Sequence, residues 1–436
     1  MLMRSNEPDW DALIDEPRAR VGRSVFVDEA IHALEIERIF GRCWLFLGHE
    51  SEIPNPGNYV TRRMGDDHVI VMRGPDGRVR VFLNTCSHRG VKVCRADSGH
   101  ARQLICPYHG WTYDTAGRLL TTGFDDFYAG KLDKAAAGLK PVAQTDTHGG
   151  LIFATFDPQA PSLGDYLGDA RFYLDTYFNR TPGGMVVLSP PQRWVVQANW
   201  KMGALNFGTD NQHLYPTHFG PTALELIGAP SKAVIAALGA SHQVTMSGHS
   251  TVNTVLPPDQ VIPFCGLHPD LVPLYERTLS AAQLDILRRN VVTVGNVFPH
   301  LGWIQPALDV ERNGQPVAGG TLRVWQPIGA HAMEITSWYL AEREAADDWK
   351  QRVLEAGVRG FGMSGVFEED DVDVWSSVNS VCRGRQARAE AASFETALNF
   401  APVDDFPGPG TAYYPMLPES VQFNLLRRWK ALMGTP

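Results

Sequence analysis

The sequence predicts an α+β protein in which a small all-β unit is followed by a larger unit of mixed helices and strands. Between Trp44 and Phe156, short β-rich runs alternate with turn residues such as Pro75-Asp76-Gly77. From about Gly164, helical and strand-like apolar patterns alternate along the chain. The length of 436 residues is enough for two or three domains, and 44% hydrophobic with 20% charged residues is typical of globular proteins.

Residues 1–39 are predicted to be an N-terminal helical segment that packs on the larger unit. Within it, the apolar spacing over Glu29–Ile39 predicts a helix. The all-β unit is expected to cover residues 40–158 and the larger unit residues 159–436. The clearest predicted strands of the all-β unit are Tyr59–Arg63, His68–Arg73, Val79–Asn84 and Gly150–Phe156.

The larger unit contains strand-like and helix-like runs in turn. The predicted strands are Val186–Leu188, Gln192–Val196, Val291–Phe298 and Thr321–Gln326. The predicted helices are Asn206–Leu214, Ser280–Arg289, Ala346–Gly360 and Phe367–Arg383. The tail from Pro402 to Pro415 is rich in Pro and Gly, so we expect it to lack regular structure.

Charge and composition exclude several classes of protein. A net charge of −9 argues against binding to nucleic acid or to an anionic membrane surface. We find no apolar run of membrane-spanning length and no secretory leader. Six cysteines in a chain of this size do not form a disulfide framework. These features predict a cytoplasmic protein.

Two Cys-His pairs are the most informative feature of the chain. Cys86-Ser87-His88 and Cys106-Pro107-Tyr108-His109 each offer one sulfur and one nitrogen ligand. A Rieske [2Fe–2S] cluster needs such a set, with two thiolates on one iron and two imidazoles on the other. Zinc also accepts two Cys and two His, but zinc ribbons favour Cys-x-x-Cys knuckles. We expect Gly90, Gly99 and Gly110 to allow the tight turns of the two ligand loops.

A second group of candidate ligands follows Asn199-Trp200-Lys201. Asp210 and His213 are three residues apart, so on a helix they would share a face. Pro216 should end that helix, and His218 could then point towards the same place as His213. Two histidines and a remote carboxylate would form the facial triad of a non-haem Fe(II) oxygenase. The rival interpretation is that both histidines are satisfied core or capping residues.

The remote carboxylate is expected in the acidic run Phe367-Glu368-Glu369-Asp370-Asp371. On a helix, Asp371 is in phase with an inward apolar stripe, and Asp370 is in phase with one that is nearly as apolar. Helical phase therefore does not choose between these two acids.

Together and in this order, these motifs resemble the α (large, catalytic) subunit of Rieske non-haem iron aromatic-ring-hydroxylating dioxygenases. The resemblance covers residues 40–385. The segment Gly365–Arg385 looks most like that of enzymes acting on biphenyl, alkylbenzenes and polycyclic hydrocarbons. It implies a Rieske domain, a catalytic domain with a helix-grip fold around an antiparallel sheet, and a [2Fe–2S] cluster and a mononuclear Fe(II) as cofactors.

The resemblance also implies a role for each candidate residue. Cys86 and Cys106 would hold one cluster iron, and His88 and His109 the other. The mononuclear iron ligands would be His213, His218 and Asp371, because the family's ligand is the second acid of the pair. Asp210 would match the family's bridging aspartate, which bonds a cluster histidine, here His109 of the partner subunit. The implied substrate pocket contains Asn206, Phe207, Leu214, Phe361 and Phe367.

The activity implied by the resemblance is dihydroxylation of a hydrophobic aromatic with O2 to a cis-dihydrodiol. Because the chain has no convincing dinucleotide-binding fingerprint, electrons would come from NADH through a flavin reductase and a ferredoxin. The implied assembly is an α3 trimer, or α3β3 with a β subunit. Two alternatives stay open: a Rieske monooxygenase that hydroxylates or demethylates an aromatic acid, and a Rieske electron carrier without a mononuclear iron.

Overall fold

The computed structural model describes residues 7–208, 210, 212–224, 239, 241–256, 259–309, 315–416 and 418–435. The chain forms two compact units, Phe40–Tyr166 and the combination of Met1–Ile39 with Leu167–Pro436. The smaller unit consists mainly of antiparallel strands, and the larger one combines helices with an antiparallel sheet. The α+β class predicted from the sequence is therefore confirmed.

The smaller unit contains three antiparallel sheets of four, three and three strands among the described residues. Its strands are Leu45–His49, Asn58–Met64, Asp67–Arg73, Val79–Leu83, Ser98–His100, Gln103–Ile105, Thr112–Asp114, Leu119–Thr121, Gln144–His148 and Leu151–Thr155. Cys86 and Cys106 belong to its apolar core, together with Phe82, Trp111 and Tyr113. The two Cys-His loops are therefore anchored at their cysteines in the core of this unit.

The larger unit is built on a sheet with nine strands among the described residues, all paired antiparallel. In chain order they are Met185–Val187, Gln192–Val196, Ser241–Met246, His249–Val255, Asn290–Val297, Leu301–Pro306, Gly320–Pro327, Met333–Glu342 and Thr411–Tyr413. A small sheet joins Ile14–Asp15, Arg20–Gly22 and Ala391–Ser393.

Several of the principal helices of this unit pack on strands of the nine-stranded sheet. The principal helices are Glu29–Glu35, Ala170–Phe178, Trp200–Asn206, Val272–Thr278, Ala281–Arg289, Asp347–Phe361, Glu368–Cys382 and Ser420–Met433. Shorter helices lie at Trp10–Leu13, Leu214–Thr217, Phe219–Ala223 and Arg385–Arg388, whereas Leu163–Leu167 lies at the end of the smaller unit. None of the helices in the described part of the chain is long and apolar enough to cross a membrane.

Two helices, which we call the entry helix (Trp200–Asn206) and the acid helix (Glu368–Cys382), position the second group of candidate ligands. The entry helix approaches the sheet closely at Gly203, where a Cβ atom would lie 2.1 Å from the Trp325 indole nitrogen. Glycine is therefore required at this contact for steric reasons.

Several predicted elements differ from the observed ones. The predicted helix Asn206–Leu214 is wrong: the entry helix ends at Asn206, and Gly208 has a φ of +87°. A new one-turn helix, Leu214–Thr217, starts after His213 and includes Pro216, which the first turn of a helix tolerates. Residues 209 and 211, also inside the predicted helix, lie outside the described residues.

Other predicted elements are present with shifted limits. The N-terminal helix ends at Glu35 and continues as a wider π-helical turn over Ile36–Phe40. The tail predicted to lack regular structure contributes the strand Thr411–Tyr413, which pairs with Ser241–Met246. Gly99 does not form a loop turn; it lies in a strand where a Cβ would collide with the Tyr59 ring.

Candidate metal centres

The two Cys-His loops of the smaller unit have the same backbone design. The amides of Cys86 and Cys106 donate to the carbonyls of the residues five positions later, at 2.9 and 2.8 Å. Gly90 and Gly110, four positions after each cysteine, donate back to the cysteine carbonyls at 2.8 and 3.1 Å. Both glycines have a positive φ, +77° and +73°, and an added Cβ would come no closer than 3.7 Å to any other atom, so conformation rather than space requires glycine.

This design brings the four predicted cluster residues together. The rings of His88 and His109 are 4.6 Å apart between centroids. Burial raises the pKa of the Cys106 thiol, and the neighbouring Cys86 adds to this effect. The Nδ1 atom of His88 is buried without a hydrogen-bond partner in the described structure. Paired buried thiols and a buried imidazole nitrogen without a partner fit a metal cluster, which would stabilise both thiolates and use the nitrogen.

Two aromatic residues that the sequence interpretation did not single out support these loops. The Tyr113 hydroxyl lies 3.2 Å from Cys86 Sγ and accepts a hydrogen bond from the Ser87 amide at 3.1 Å. With that amide as donor to Tyr113, the hydroxyl proton is available to the sulfur. Trp111 stacks on the His88 ring, with centroids 4.9 Å apart and planes inclined by 3°. The alternating Trp111-Thr112-Tyr113 pattern after His109 was the available signal.

The second group converges in the larger unit. Candidate donor atoms of His213, His218 and Asp371 all lie within 4.8 Å of one another. Asp371 Oδ1 is 3.5 Å from His213 Nε2 and 3.4 Å from His218 Nε2. The structure therefore brings Asp371, and not Asp370, between the two histidines. This convergence of two imidazoles and one carboxylate matches the donor set of a 2-His-1-carboxylate metal site.

Each of the two histidines turns its other nitrogen towards a second aspartate. His213 Nδ1 lies 3.5 Å from Asp210 Oδ1, and His218 Nδ1 lies 3.1 Å from Asp370 Oδ2. Asp210 thus lies beside the donor set without entering it. Although burial acts in the other direction, hydrogen bonding to His213 and Gln422 lowers the pKa of Asp210.

The electrostatics of the donor set fit a divalent cation. Burial raises the pKa of Asp371 to about 7, because its negative charge is poorly compensated without a nearby cation. Burial, followed by the neighbouring His213, lowers the pKa of His218 to about 4. A neutral imidazole is the form that binds metal, and a dication would offset the cost of burying the carboxylate.

Two buried ion pairs, neither predicted from the sequence, hold the helices that carry the site. Glu35 pairs with Lys201 at the start of the entry helix and accepts hydrogen bonds from the indoles of Trp200 and Trp429 at 2.9 and 2.7 Å. The Glu35 carboxylate thereby joins three elements: the N-terminal helix, the entry helix and the C-terminal helix Ser420–Met433. Within Asn199-Trp200-Lys201, a lysine between apolar neighbours was a usable signal for a buried pair.

The second ion pair joins Arg323 of the central sheet to Glu368 in the first turn of the acid helix. Arg323 also donates to the carbonyl oxygen of Phe361, at the end of the preceding helix. Its guanidinium carbon lies 5.3 and 5.6 Å from the ring centres of Phe207 and Phe361. Arg323 therefore fixes the acid helix and two of the predicted pocket aromatics at once.

The five predicted pocket residues do not form one group in the structure. Phe361 and Phe367 stack with centroids 5.2 Å apart, and Phe367 meets the His218 ring edge-on at 5.1 Å. Phe207 packs on Trp325 at 4.8 Å. Leu214 is half-buried in the short helix between the histidines.

A cavity of about 260 Å³ lies on the Asp210 side of the donor set. Asp210, His213 and Asp371 line it, together with apolar residues that include Trp375 and Phe394. Of the five predicted pocket residues, only Asn206 is part of its lining, and Asn206 Nδ2 donates to Asp371 Oδ2 at 3.3 Å. The cavity therefore lies on a different side of the donor set from the stacked phenylalanines.

Comparison with known proteins identifies the family. A family model of the Rieske [2Fe–2S] domain matches residues 43–124. The chain is 33% identical to the biphenyl 2,3-dioxygenase subunit alpha of Rhodococcus jostii (strain RHA1), over 100% of this chain and 94% of that protein. The chain belongs to the Rieske aromatic-ring-hydroxylating dioxygenase α subunits. Enzymes of this family use a [2Fe–2S] cluster, a mononuclear iron and O2, and their general reaction forms a cis-dihydrodiol.

Two further comparisons refine the position of this dioxygenase α subunit. The crystal structure of naphthalene 1,2-dioxygenase from Rhodococcus sp. bound to indole has a TM-score of 0.93 and 37% identity, covering 98% of both chains. The N,N-dimethyl phenylurea N-demethylase subunit alpha of Sphingobium sp. (strain YBL2) is 31% identical over 93% of this chain and 89% of that protein. Close relatives therefore include an enzyme named for a demethylation.

Proposed function

We propose that this chain is the catalytic subunit that dihydroxylates a hydrophobic mono- or polycyclic aromatic with O2 to a cis-dihydrodiol. The observation that carries the proposal is the convergence of His213, His218 and Asp371 in a chain that also contains two Rieske ligand loops. An electron-transfer cluster needs an acceptor, and a 2-His-1-carboxylate centre is one. The carrier alternative has no use for the second donor set.

The proposed ligands follow the geometry of the two centres. Cys86, Cys106, His88 and His109 would hold the cluster, and His213, His218 and Asp371 the mononuclear iron. Bound in these places, the cluster would supply single electrons and the iron open positions for O2. Asp370 holds His218 by its Nδ1 atom and Asp210 lies 3.5 Å from Nδ1 of His213, and the Nε2 atoms of both histidines face Asp371.

We propose that Asp210 carries the link to a second copy of the chain. It lies beside His213 and lines the 260 Å³ cavity, which has room for a side chain from outside the unit. In an α3 or α3β3 assembly, His109 of the partner subunit would bond Asp210. The carboxylate would then orient one imidazole on each centre and accept from both N–H groups.

The aromatic side chains near the site favour an uncharged substrate. Phe361 and Phe367 present stacked rings next to His218. Arg323, whose guanidinium lies 5.6 Å from the Phe361 ring centre, is paired with Glu368 and is fully buried. Because Glu368 already neutralises Arg323, this arginine would not attract a substrate carboxylate. Apolar contact and ring stacking would therefore decide binding.

We further propose that electrons arrive from NADH by way of a flavin reductase and a ferredoxin, in the cytoplasm, and that a β subunit completes the assembly.

The deciding experiment is turnover of biphenyl, naphthalene and an alkylbenzene with a surrogate ferredoxin and reductase under ¹⁸O2. Both label atoms in one dihydrodiol product support the proposal. A single label atom in a phenol or a demethylated product supports the monooxygenase alternative.

That alternative has one observation in its favour, the similarity to the N-demethylase α subunit. A substituted aromatic with an N-methyl group should therefore be included in the same screen. Formaldehyde release without a dihydrodiol from any hydrocarbon would replace the first proposal by the second.

A further inference from the structure

We propose that Asp370 is a positioning residue for the mononuclear centre, which it serves by holding His218 from the side opposite Asp371. The inference rests on the proposed function in one respect, that His213, His218 and Asp371 bind a divalent metal. It concerns how the chain retains that metal.

The geometry places the His218 ring between two consecutive acids. Asp370 Oδ2 lies 3.1 Å from His218 Nδ1, and Asp371 Oδ1 lies 3.4 Å from His218 Nε2. Consecutive residues of an α-helix point roughly 100° apart around the axis. One turn of the acid helix can therefore reach both nitrogens of a ring that lies against it, which explains why both acids contact His218.

The hydrogen bond to Asp370 determines which nitrogen is free to bind metal. With its proton on Nδ1 and donated to Asp370, the neutral ring presents the Nε2 lone pair towards Asp371 and His213. The ring is almost fully buried and meets Phe367 edge-on at 5.1 Å, so its plane is fixed as well. A carboxylate behind a ligating imidazole raises its basicity and fixes its tautomer.

Asp370 and Asp210 occupy equivalent places on the two histidines but have different surroundings. Asp210 lines the 260 Å³ cavity, whereas Asp370 is not among the residues that line it. Asp370 is accordingly assigned to metal retention alone, without a part in transfer between subunits.

The adjacent Glu369 supplies a matched control. It lies in the same first turn of the acid helix, but it is exposed. Removing either acid takes one negative charge from the helix N-terminus, where such charges are stabilising. Any difference between the two variants therefore reports the contact with His218.

The test uses the full chain with its cluster intact, after anaerobic chelation of the mononuclear iron. Co(II) is then titrated into the wild type, Asp370→Ala, Asp370→Asn and Glu369→Ala, with calorimetry for affinity and EPR for the coordination environment. We expect Asp370→Ala to bind Co(II) ~10–100-fold more weakly, as is typical when a carboxylate behind a metal-binding histidine is removed. Asp370→Asn keeps an acceptor for Nδ1–H, so its loss should be smaller, and Glu369→Ala should match the wild type.

The outcomes separate this inference from the proposed function. Wild-type affinity in Asp370→Ala, or an equal loss in Glu369→Ala, overturns the inference while leaving the metal site intact. If the wild type itself binds no Co(II), the proposed metal site fails instead. Should Asp370→Ala lose its cluster spectrum through misfolding, Asp370→Asn decides: weaker binding with a changed Co(II) EPR signal supports the inference, and wild-type behaviour overturns it.

Discussion

The two sets of proposed metal ligands in this protein are built in different ways. In the smaller unit, each Cys-His loop is a short stretch whose turn is closed by the same two backbone hydrogen bonds and a glycine with positive φ. In the larger unit, two of the three candidate donors are the residues on either side of a one-turn helix, and the third comes from a helix far along the chain. A site made of local turns is specified by residues that are neighbours in sequence. A site whose ligands come from distant parts of the chain depends on the packing and ion pairs that hold those parts in place.

The supporting interactions differ accordingly. The cluster loops are anchored by core packing and by the Tyr113 and Trp111 contacts. The helices that carry the proposed mononuclear ligands are held by the buried pairs Glu35–Lys201 and Arg323–Glu368, and a carboxylate lies behind each of the two histidines. Distant substitutions should therefore harm the second centre more than the first.

Among variants that should keep their metals, we expect the largest loss of turnover from a substitution at Asp210. Asp210→Asn keeps the size of the side chain and one acceptor but removes the charge that two imidazole donors share. We expect turnover to fall by roughly 100-fold or more while cluster spectrum and iron content stay normal. Stopped-flow absorbance should show a cluster that ferredoxin reduces normally but that reoxidises slowly. Loss of iron would instead make Asp210 a ligand.

A distant substitution, Lys201→Met, should affect the larger unit alone. It leaves the Glu35 carboxylate buried without its cation, which costs ~3–5 kcal/mol in the free energy of unfolding. Denaturation followed by tryptophan fluorescence should shift, whereas bleaching of the cluster absorbance should occur at the wild-type denaturant concentration. Adding Glu35→Gln should restore part of the loss. A parallel shift of both signals would contradict the contrast between the units.

Within the cluster loops, Tyr113→Phe is expected to change the potential and little else. The variant removes a hydroxyl 3.2 Å from Cys86 Sγ. Because the reduced cluster carries more negative charge, the hydrogen bond favours reduction, and its loss should lower the midpoint potential by roughly 40–80 mV, equivalent to about 1–2 kcal/mol. Redox titration followed by EPR measures this shift. An unchanged potential would show that the hydroxyl proton is not directed at the sulfur.

The smallest change is expected from Phe361→Val. The side chain stacks on Phe367 next to His218, and a smaller residue gives an aromatic substrate another orientation. Product ratios from a substrate with several oxidisable positions should change by a few-fold, corresponding to ~1 kcal/mol between competing orientations. Iron content should stay at the wild-type value. Identical ratios across several substrates would remove Phe361 from the pocket.

The same contrast between local turns and converging helices explains which features could be predicted from the sequence. The two Cys-His pairs and eight of the strands could be located from the sequence, because Cys-His spacing and alternating apolar residues are local patterns. The choice between Asp370 and Asp371 was not predictable from helical phase, since both contact one imidazole. The helix predicted over Asn206–Leu214 was wrong because Gly208 has a positive φ, which a right-handed helix does not continue through. The observed helix ends before it, at Asn206.

The remaining differences are tertiary in origin. Nothing local to Glu35 or Arg323 indicates its partner, because Lys201 and Glu368 lie far away in sequence and meet them only in the folded core. The strand Thr411–Tyr413 forms within a Pro- and Gly-rich tail because the edge strand Ser241–Met246 offers backbone partners.

Iron and acid-labile sulfide per chain, measured on the wild type, Asp371→Ala and Cys106→Ser, test the presence of two separate centres most directly. We predict the two cluster irons and one further iron in the wild type. Asp371→Ala should lose only the further iron and keep all sulfide and the Rieske EPR signal. Cys106→Ser should lose the sulfide and that signal. A wild type with the cluster irons alone, or an Asp371→Ala variant with unchanged iron, would contradict the account.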